Sequence, residues 1–233
     1  MKIIKNISWL LFPRRCACCN KIIGRDEKVC DVCRTKLIKS KKICLKCGSD
    51  KKNCSCKFNT YHFKGCIGPF MKSDESMLII HHFKDEDNIA VADYISDEMF
   101  NEIGRYYGDI NFDGVCAVPS HWTKKFYKGY NQSEILARQI AKRINASYFT
   151  NLYKCKKTQV QHTLKRQERF ENVRDAYACN PFKNCKNILL IDDIKSTGAT
   201  LDECSRQLMF AGAENVYCAV AILNSANGCK IQK

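Results

Sequence analysis

Residues 188–200 read ILLIDDIKSTGAT, and the fold of the chain can be worked out from this stretch. The run from Ile188 to Ile191 is apolar without alternation, as in a strand buried on both faces of a helix-covered parallel sheet. Two adjacent acids, Asp192 and Asp193, close it. A short loop with Lys195, Ser196, Thr197 and Gly198 follows, and a helix opens at Ala199 and Thr200. Carboxylates at the carboxyl end of a parallel strand stand where α/β sheets bind ligands. Backbone N–H groups and hydroxyls at a helix N-terminus cradle phosphate, and Gly198 lets the backbone come close to it. Acids beside such a cradle fit a sugar phosphate, with the acids on ribose hydroxyls and the loop on the 5′-phosphate.

Outward from this point, apolar strands alternate with amphipathic segments. Strands are expected over 61–70, 113–118, 187–192 and 215–223. Helices are expected over 73–83, 87–107, 131–145 and 199–211, with Ser73 and Asp87 as N-caps and Gly212 as a stop. Residues 155–169 are polar, basic and unpatterned, the profile of a long loop. The order implies an α/β domain over 58–233, a mostly parallel sheet flanked by helices.

Residues 1–57 differ in kind. Nine of the 17 cysteines lie here. Cys16-x2-Cys19 and Cys30-x2-Cys33 form one cluster, and Cys44-x2-Cys47 with Cys54-x-Cys56 a second. A C-x2-C knuckle folds two thiolates to one side of a tight turn, and two knuckles complete a tetrahedral site. Four thiolates select zinc or an iron–sulfur cluster, and this spacing is that of a small zinc-ribbon module with one or two structural Zn²⁺. Cross-pairing between the clusters stays open. Cys18 reads as a bystander. An odd cysteine count argues against a disulfide framework and for a reducing, cytoplasmic setting. The mildly apolar residues 1–12 read as a short packing helix rather than a signal peptide, and no apolar run is long enough to span a membrane.

The formal charge of +15 is uneven. Residues 1–57 hold 16 Lys+Arg against 4 Asp+Glu, or +12, and the rest hold 23 against 20, or +3. Residues 124–169 form a second basic region. Such surfaces favour polyanions: nucleic acid, phosphorylated ligands or anionic lipid. Lys36, Lys39, Lys41 and Lys42 are candidates for nucleic acid, and Trp122, Phe126, Tyr127 and Tyr130 lie near enough in sequence to stack on single strands or simply to pack.

The stretch ending S-T-G-A-T closely resembles the phosphoribosyl pyrophosphate (PRPP) signature of type I phosphoribosyltransferases. Two further segments extend the resemblance to the ComF family. Residues 128–132 read KGYNQ where that family has RGFNQ, and residues 158–177 match its pattern at Thr158, Gln161, Leu164, Arg169, Asn172 and Tyr177. The cysteine pairs are similar to its zinc ribbon. The resemblance implies a phosphoribosyltransferase-type fold binding PRPP with Mg²⁺. It puts Asp192 and Asp193 on the ribose and Lys195, Ser196, Thr197, Gly198, Ala199 and Thr200 on the 5′-phosphate. Val118, Pro119, Ser120 and His121 would lie on the pyrophosphate, with Lys84, Lys128, Gln161 and Arg169 around it. Lys128 keeps the charge of the family's arginine but loses its fork. Two roles follow: a competence-type protein that handles single-stranded DNA, alongside a DNA-uptake helicase and other competence proteins, or an active transferase acting on a nucleobase-like acceptor.

Overall fold

A computed structural model describes residues 13–54, 56, 60–84, 89–120, 130–156, 158, 166–183 and 185–224. In chain order its elements are α1 (Asp31–Lys36), β1 (Gly65–Ile67), β2 (Phe70–Met71), α2 (Asp74–Lys84), α3 (Ile89–Tyr107), β3 (Gly114–Ala117), α4 (Gln132–Arg143), β4 (Ser147–Phe149), β5 (Leu152–Lys154), α5 (Arg166–Val173), β6 (Tyr177–Cys179), β7 (Cys185–Lys195), α6 (Ala199–Phe210) and β8 (Ala213–Leu223). The main sheet runs β1-β8-β7-β3-β4, with β2 also on β8, and every pairing in it is parallel. β5 and β6 form a separate antiparallel pair.

The unbroken apolar runs of β7 and β8 serve two cores at once. Leu189, Ile191, Ala219 and Ala221 face a core completed by α2, α3 and α4, through Ile79, Ile95 and Leu136. Ile188, Leu190, Cys218 and Val220 face the other, completed by Leu201, Cys204 and Leu208 of α6. Successive residues point to opposite faces of a strand, so both faces need apolar side chains. The mixed α/β architecture with a parallel sheet is as the sequence implies.

The N-terminal ribbons join these cores. Cys16, Ile23, Val29 and Leu37 belong to the first core, whereas Ile43 and Cys47 belong to the second. Lys28 pairs with Asp97 and Lys39 with Glu98, fixing the first ribbon to α3. His82 Nδ1 meets the Ala17 carbonyl at 3.0 Å, a second tie to the helical face. The second ribbon meets the sheet edge instead, where Cys66 N donates to Leu45 O at 2.8 Å.

From β3 the chain crosses through α4 outward to β4, and from β7 it crosses through α6 the opposite way to β8. The reversal leaves a crevice at the carboxyl ends of β3 and β7, the place where open α/β sheets bind ligands.

Local differences from the sequence reading have physical causes. The strand expected over 61–70 is cut to β1 and β2 because Pro69 lacks an N–H and Gly68 sits against backbone, where a Cβ would come 2.4 Å from Val220 O. β7 runs to Lys195, past the two acids. The loop expected over 155–169 gives way to α5 at Arg166. β4, β5 and β6 have three residues each and no apolar alternation to announce them. Ser73 caps α2 in a reciprocal box, its Oγ accepting from Ser76 N while Ser76 Oγ accepts from Ser73 N. The Asp87 cap and the helix expected over 1–12 lie outside the described residues.

Candidate ligand site and metal centres

Asp192 lies buried in the β3/β7 crevice. It accepts from Ser133 Oγ at 2.8 Å and from Asp193 N at 2.9 Å. Burial first, and then the charge of Asp193, push its carboxyl well above the ordinary carboxylate range, against the opposing pull of Ser133 and the Asp193 N–H. Asp193 faces Lys84 Nζ at 3.4 Å. Lys84 is placed by its position in the last turn of α2, and its carbonyl accepts from Tyr130 OH at 2.9 Å.

Asn131 organises the opposite wall. It is the N-cap of α4, its side chain accepting from Ser133 N at 3.3 Å while Nδ2 donates to Val118 O at 3.0 Å. Val118 N in turn donates to Ile191 O at 2.9 Å. One residue thereby ties the segment after β3 to the helix that carries Ser133. Beside it opens a cavity of about 240 Å³ lined by Pro119, Ser120, Asn131, Phe149 and Lys154, among others. Among the described residues, the buried Ser120 Oγ and Gln132 Nε2 have no hydrogen-bond partner, the condition of polar groups awaiting a ligand or water.

The loop after β7 has the expected form. Gly198 takes φ +89 as the N-cap of α6, a left-handed conformation that favours glycine. Thr197 Oγ1 accepts from Ala199 N at 3.3 Å, and Ser196 Oγ accepts from Arg169 Nη1 at 2.9 Å. Arg169 therefore sits on α5 against the cradle rather than on a free loop. Lys195 requires a correction. Its ammonium is directed away from the cradle: the residue is 2% exposed, and its Nζ lies 3.1 Å from Ser49 Oγ in the second ribbon. His121, Lys128 and Gln161 lie outside the described residues.

The cysteines separate into two tetrads, Cys16/Cys19/Cys30/Cys33 and Cys44/Cys47/Cys54/Cys56, with the sulfurs of each within 4.8 Å of one another. This resolves the pairing that the spacing left open. A tetrahedron with Zn–S of about 2.3 Å has S···S edges of about 3.8 Å. Cys19–Cys30, Cys44–Cys56 and Cys47–Cys54 all stand at 3.8 Å. Without a cation the thiols could not all ionise. Burial, then neighbouring thiols, push Cys33 and Cys56 up. Burial also opposes ionisation of Cys16, but the N–H groups of Cys30, Cys19 and Cys18 bring it down to about 6. For Cys47 burial is outweighed by Ser49, by the Cys56 thiol and by the charge of Lys195, bringing it to about 7. A divalent ion supplies the charge that four thiolates lack. Cys18, fully buried, is pushed up to about 12 by burial and stays a thiol outside the tetrad.

Residues 7–59 match the double zinc ribbon domain family. Competence protein F of Haemophilus influenzae is 26% identical over 226 residues, covering 88% of this chain and 95% of that protein. Over most of its length, then, the chain is similar to Competence protein F. The DNA utilization protein YhgH of Escherichia coli O157:H7 is 24% identical over 60% of this chain and 63% of its own length. Among solved structures, an adenine phosphoribosyltransferase aligns at 10% identity and TM-score 0.35, over 59% of this chain and 81% of its own.

The candidate lysines divide. Lys39 is spent on docking, with Glu98 as ion partner and the Phe70 ring 4.5 Å below its ammonium. Lys36, Lys41 and Lys42 are exposed. Ser133 was not among the sequence candidates, although a hydroxyl two residues after an N-cap Asn is a readable signal for a side chain aimed at a strand end. Among the described residues, no helix is long and apolar enough to cross a membrane.

Proposed function

We propose that the chain binds PRPP with Mg²⁺ in the β3/β7 crevice and serves DNA uptake as a handler of single-stranded DNA, working with a DNA-uptake helicase and other competence proteins in the cytoplasm. One observation carries the ligand half: Asp192 and Asp193 meet Ser133, Lys84 and the Gly198 cradle at the point where the sheet reverses its direction of growth. Asp192 and Asp193 orient the ribose. Ser196, Thr197, Gly198, Ala199 and Thr200 surround the 5′-phosphate, with backbone N–H groups and the α6 N-terminus favouring its charge. Val118, Pro119 and Ser120 border the space for the diphosphate, and Lys84 and Arg169 supply positive charge. Mg²⁺ offsets diphosphate charge when bound, and the buried Asp192 gives up its proton more readily once a cation is near.

The DNA half is supported by the similarity to Competence protein F and to a DNA utilization protein, together with the exposed Lys36, Lys41 and Lys42. Calorimetric titration with PRPP and Mg²⁺ tests the first half: binding that Asp192→Asn/Asp193→Asn abolishes is expected, and undiminished binding by the variant overturns it. Pyrophosphate release across a nucleobase panel then distinguishes a transferase from a binding protein. For the DNA half, oligonucleotide affinity is expected to fall steeply with salt, and Lys41→Glu/Lys42→Glu to reduce the slope by about 1.4. An unchanged slope removes the ribbon from DNA contact.

A further inference from the structure

Lys195 ends β7 at the entrance to the cradle, yet its ammonium is enclosed. Among the described residues it meets a hydroxyl, Ser49 Oγ, rather than a carboxylate. Burying an ammonium is costly unless opposite charge lies close. Ser49 stands two residues after the zinc ligand Cys47 and belongs to the same turn, where Ser49 O accepts from Cys44 N at 2.7 Å and Cys44 O accepts from Gly48 N at 2.7 Å. Four thiolates around Zn²⁺ leave a net charge of about −2, the counter-charge this burial requires.

Both ends of the contact are held firmly. Gly48 takes φ +66, and a Cβ there would lie 2.8 Å from the Leu223 side chain and 2.9 Å from Cys66 O, so the turn is seated directly on the strand ends. Lys195 Cε lies 3.5 Å from where a Cβ would stand on Gly198, so the stem of the lysine underlies the N-cap of the cradle helix. Lys195 O accepts from Asn224 N at 2.9 Å, tying β7 to the end of β8.

We infer that Lys195 is a positioning residue that couples the second zinc centre, Cys44/Cys47/Cys54/Cys56, to the ligand loop at residues 196–200, so that zinc occupancy there and ligand binding strengthen each other. The ligand half of this coupling rests on the phosphate reading of the loop; the lysine–zinc half does not. Coupling between two binding equilibria is reciprocal, so each direction can be measured. The first centre, docked on α2 and α3 through His82 and Lys28, serves as the internal control.

The test follows zinc loss from the full-length, zinc-loaded protein into excess chelator, with alkylation of the released cysteines read by peptide mass spectrometry to assign each loss to its centre. Without ligand, Lys195→Met, which keeps the buried stem, is expected to speed loss from the second centre at least about tenfold, as loss of a group supporting a metal's ligands does, and to leave the first unchanged. Ser49→Ala, which removes one hydroxyl, moves the same rate in the same direction by less, and Lys195→Arg restores part of it. Equal rates in wild type and Lys195→Met overturn the inference whatever PRPP does. With PRPP and Mg²⁺ added, wild type is expected to retain second-centre zinc several-fold longer, and Lys195→Met to show no such protection. Protection that persists in Lys195→Met, or that covers both centres alike, overturns the coupling. If calorimetry shows that wild type does not bind PRPP, the functional reading and the ligand half fail together, while the ligand-free rates still decide whether Lys195 supports the second centre.

Discussion

The two ribbons use the same chemistry and join different cores. Each offers four cysteine sulfurs within 4.8 Å. The first packs into the core of α2, α3 and α4 and is tied down by surface-accessible ion pairs. The second packs into the α6 core, abuts the ends of β1 and β8, and meets the last residue of β7. The same metal motif thus packs against α2 and α3 at one place and, in the coupling proposed above, supports the loop at residues 196–200 at another. What separates their roles is the neighbouring element, and the ligand set alone does not reveal it.

The sharpest break in this comparison is expected at two glycines. Gly48→Ala drives a Cβ into Leu223 and the Cys66 carbonyl at a left-handed position and costs about 3 kcal/mol or more, by overpacking plus strain. Gly24→Ala in the first ribbon meets only the Glu27 side chain at 3.4 Å and changes stability by less than about 0.5 kcal/mol. Urea denaturation of the zinc-loaded variants measures both, and equal losses would show that the ribbons are seated alike. Next in size are the ligands themselves. Cys19→Ser and Cys47→Ser are each expected to weaken zinc binding at their own centre, but only Cys47→Ser lowers PRPP affinity, by about tenfold. Similar PRPP affinity in the two variants would dissolve the distinction.

Asp192 offers a smaller effect of opposite sign. Its folded-state carboxyl is raised by burial and by Asp193, so the unfolded chain ionises more easily. Stability from this group is present below the ordinary carboxylate range and is lost as pH rises toward the raised folded value. At pH 7, Asp192→Asn is therefore expected to stabilise the ligand-free protein, raising Tm by about 2–4 °C, the response of a chain this size to about 1 kcal/mol, while abolishing PRPP binding. A Tm that falls would mean that the hydrogen bond from Ser133 outweighs the burial. The smallest effect belongs to the first ribbon: Lys28→Ala removes a half-exposed pair with Asp97 and is expected to cost about 0.5 kcal/mol with no change in PRPP affinity.

How much of this was legible in the sequence depended on whether the signal was local. The strand carrying Ile188–Ile191, the two acids and the glycine cap are neighbours in sequence, and their joint geometry could be read from residue type alone. The cysteine tetrads were legible for the same reason, apart from their pairing. The three-residue strands β4, β5 and β6 were not, because their form comes from the partner strand and not from their own pattern. The same holds for Lys195. Its place in the motif pointed to phosphate, but a contact across 146 residues took its ammonium to Ser49, and no local pattern encodes that.

The order of the strands also bears on how the chain is made. Among the described residues the two central strands, β7 and β8, are the last two in sequence, and β8 is the partner on which both β1 and β2 depend. A ribosome releasing this chain has long since emitted both cysteine tetrads before the surfaces that receive them exist. Metal capture can begin early and the first ribbon can meet α2 and α3 soon after, but the second ribbon finds its seat against Leu223 only when that residue is free, and the core of α2, α3 and α4 is completed only when β7 and β8 arrive. Such late, long-range closure favours slow folding and a need for protection during synthesis.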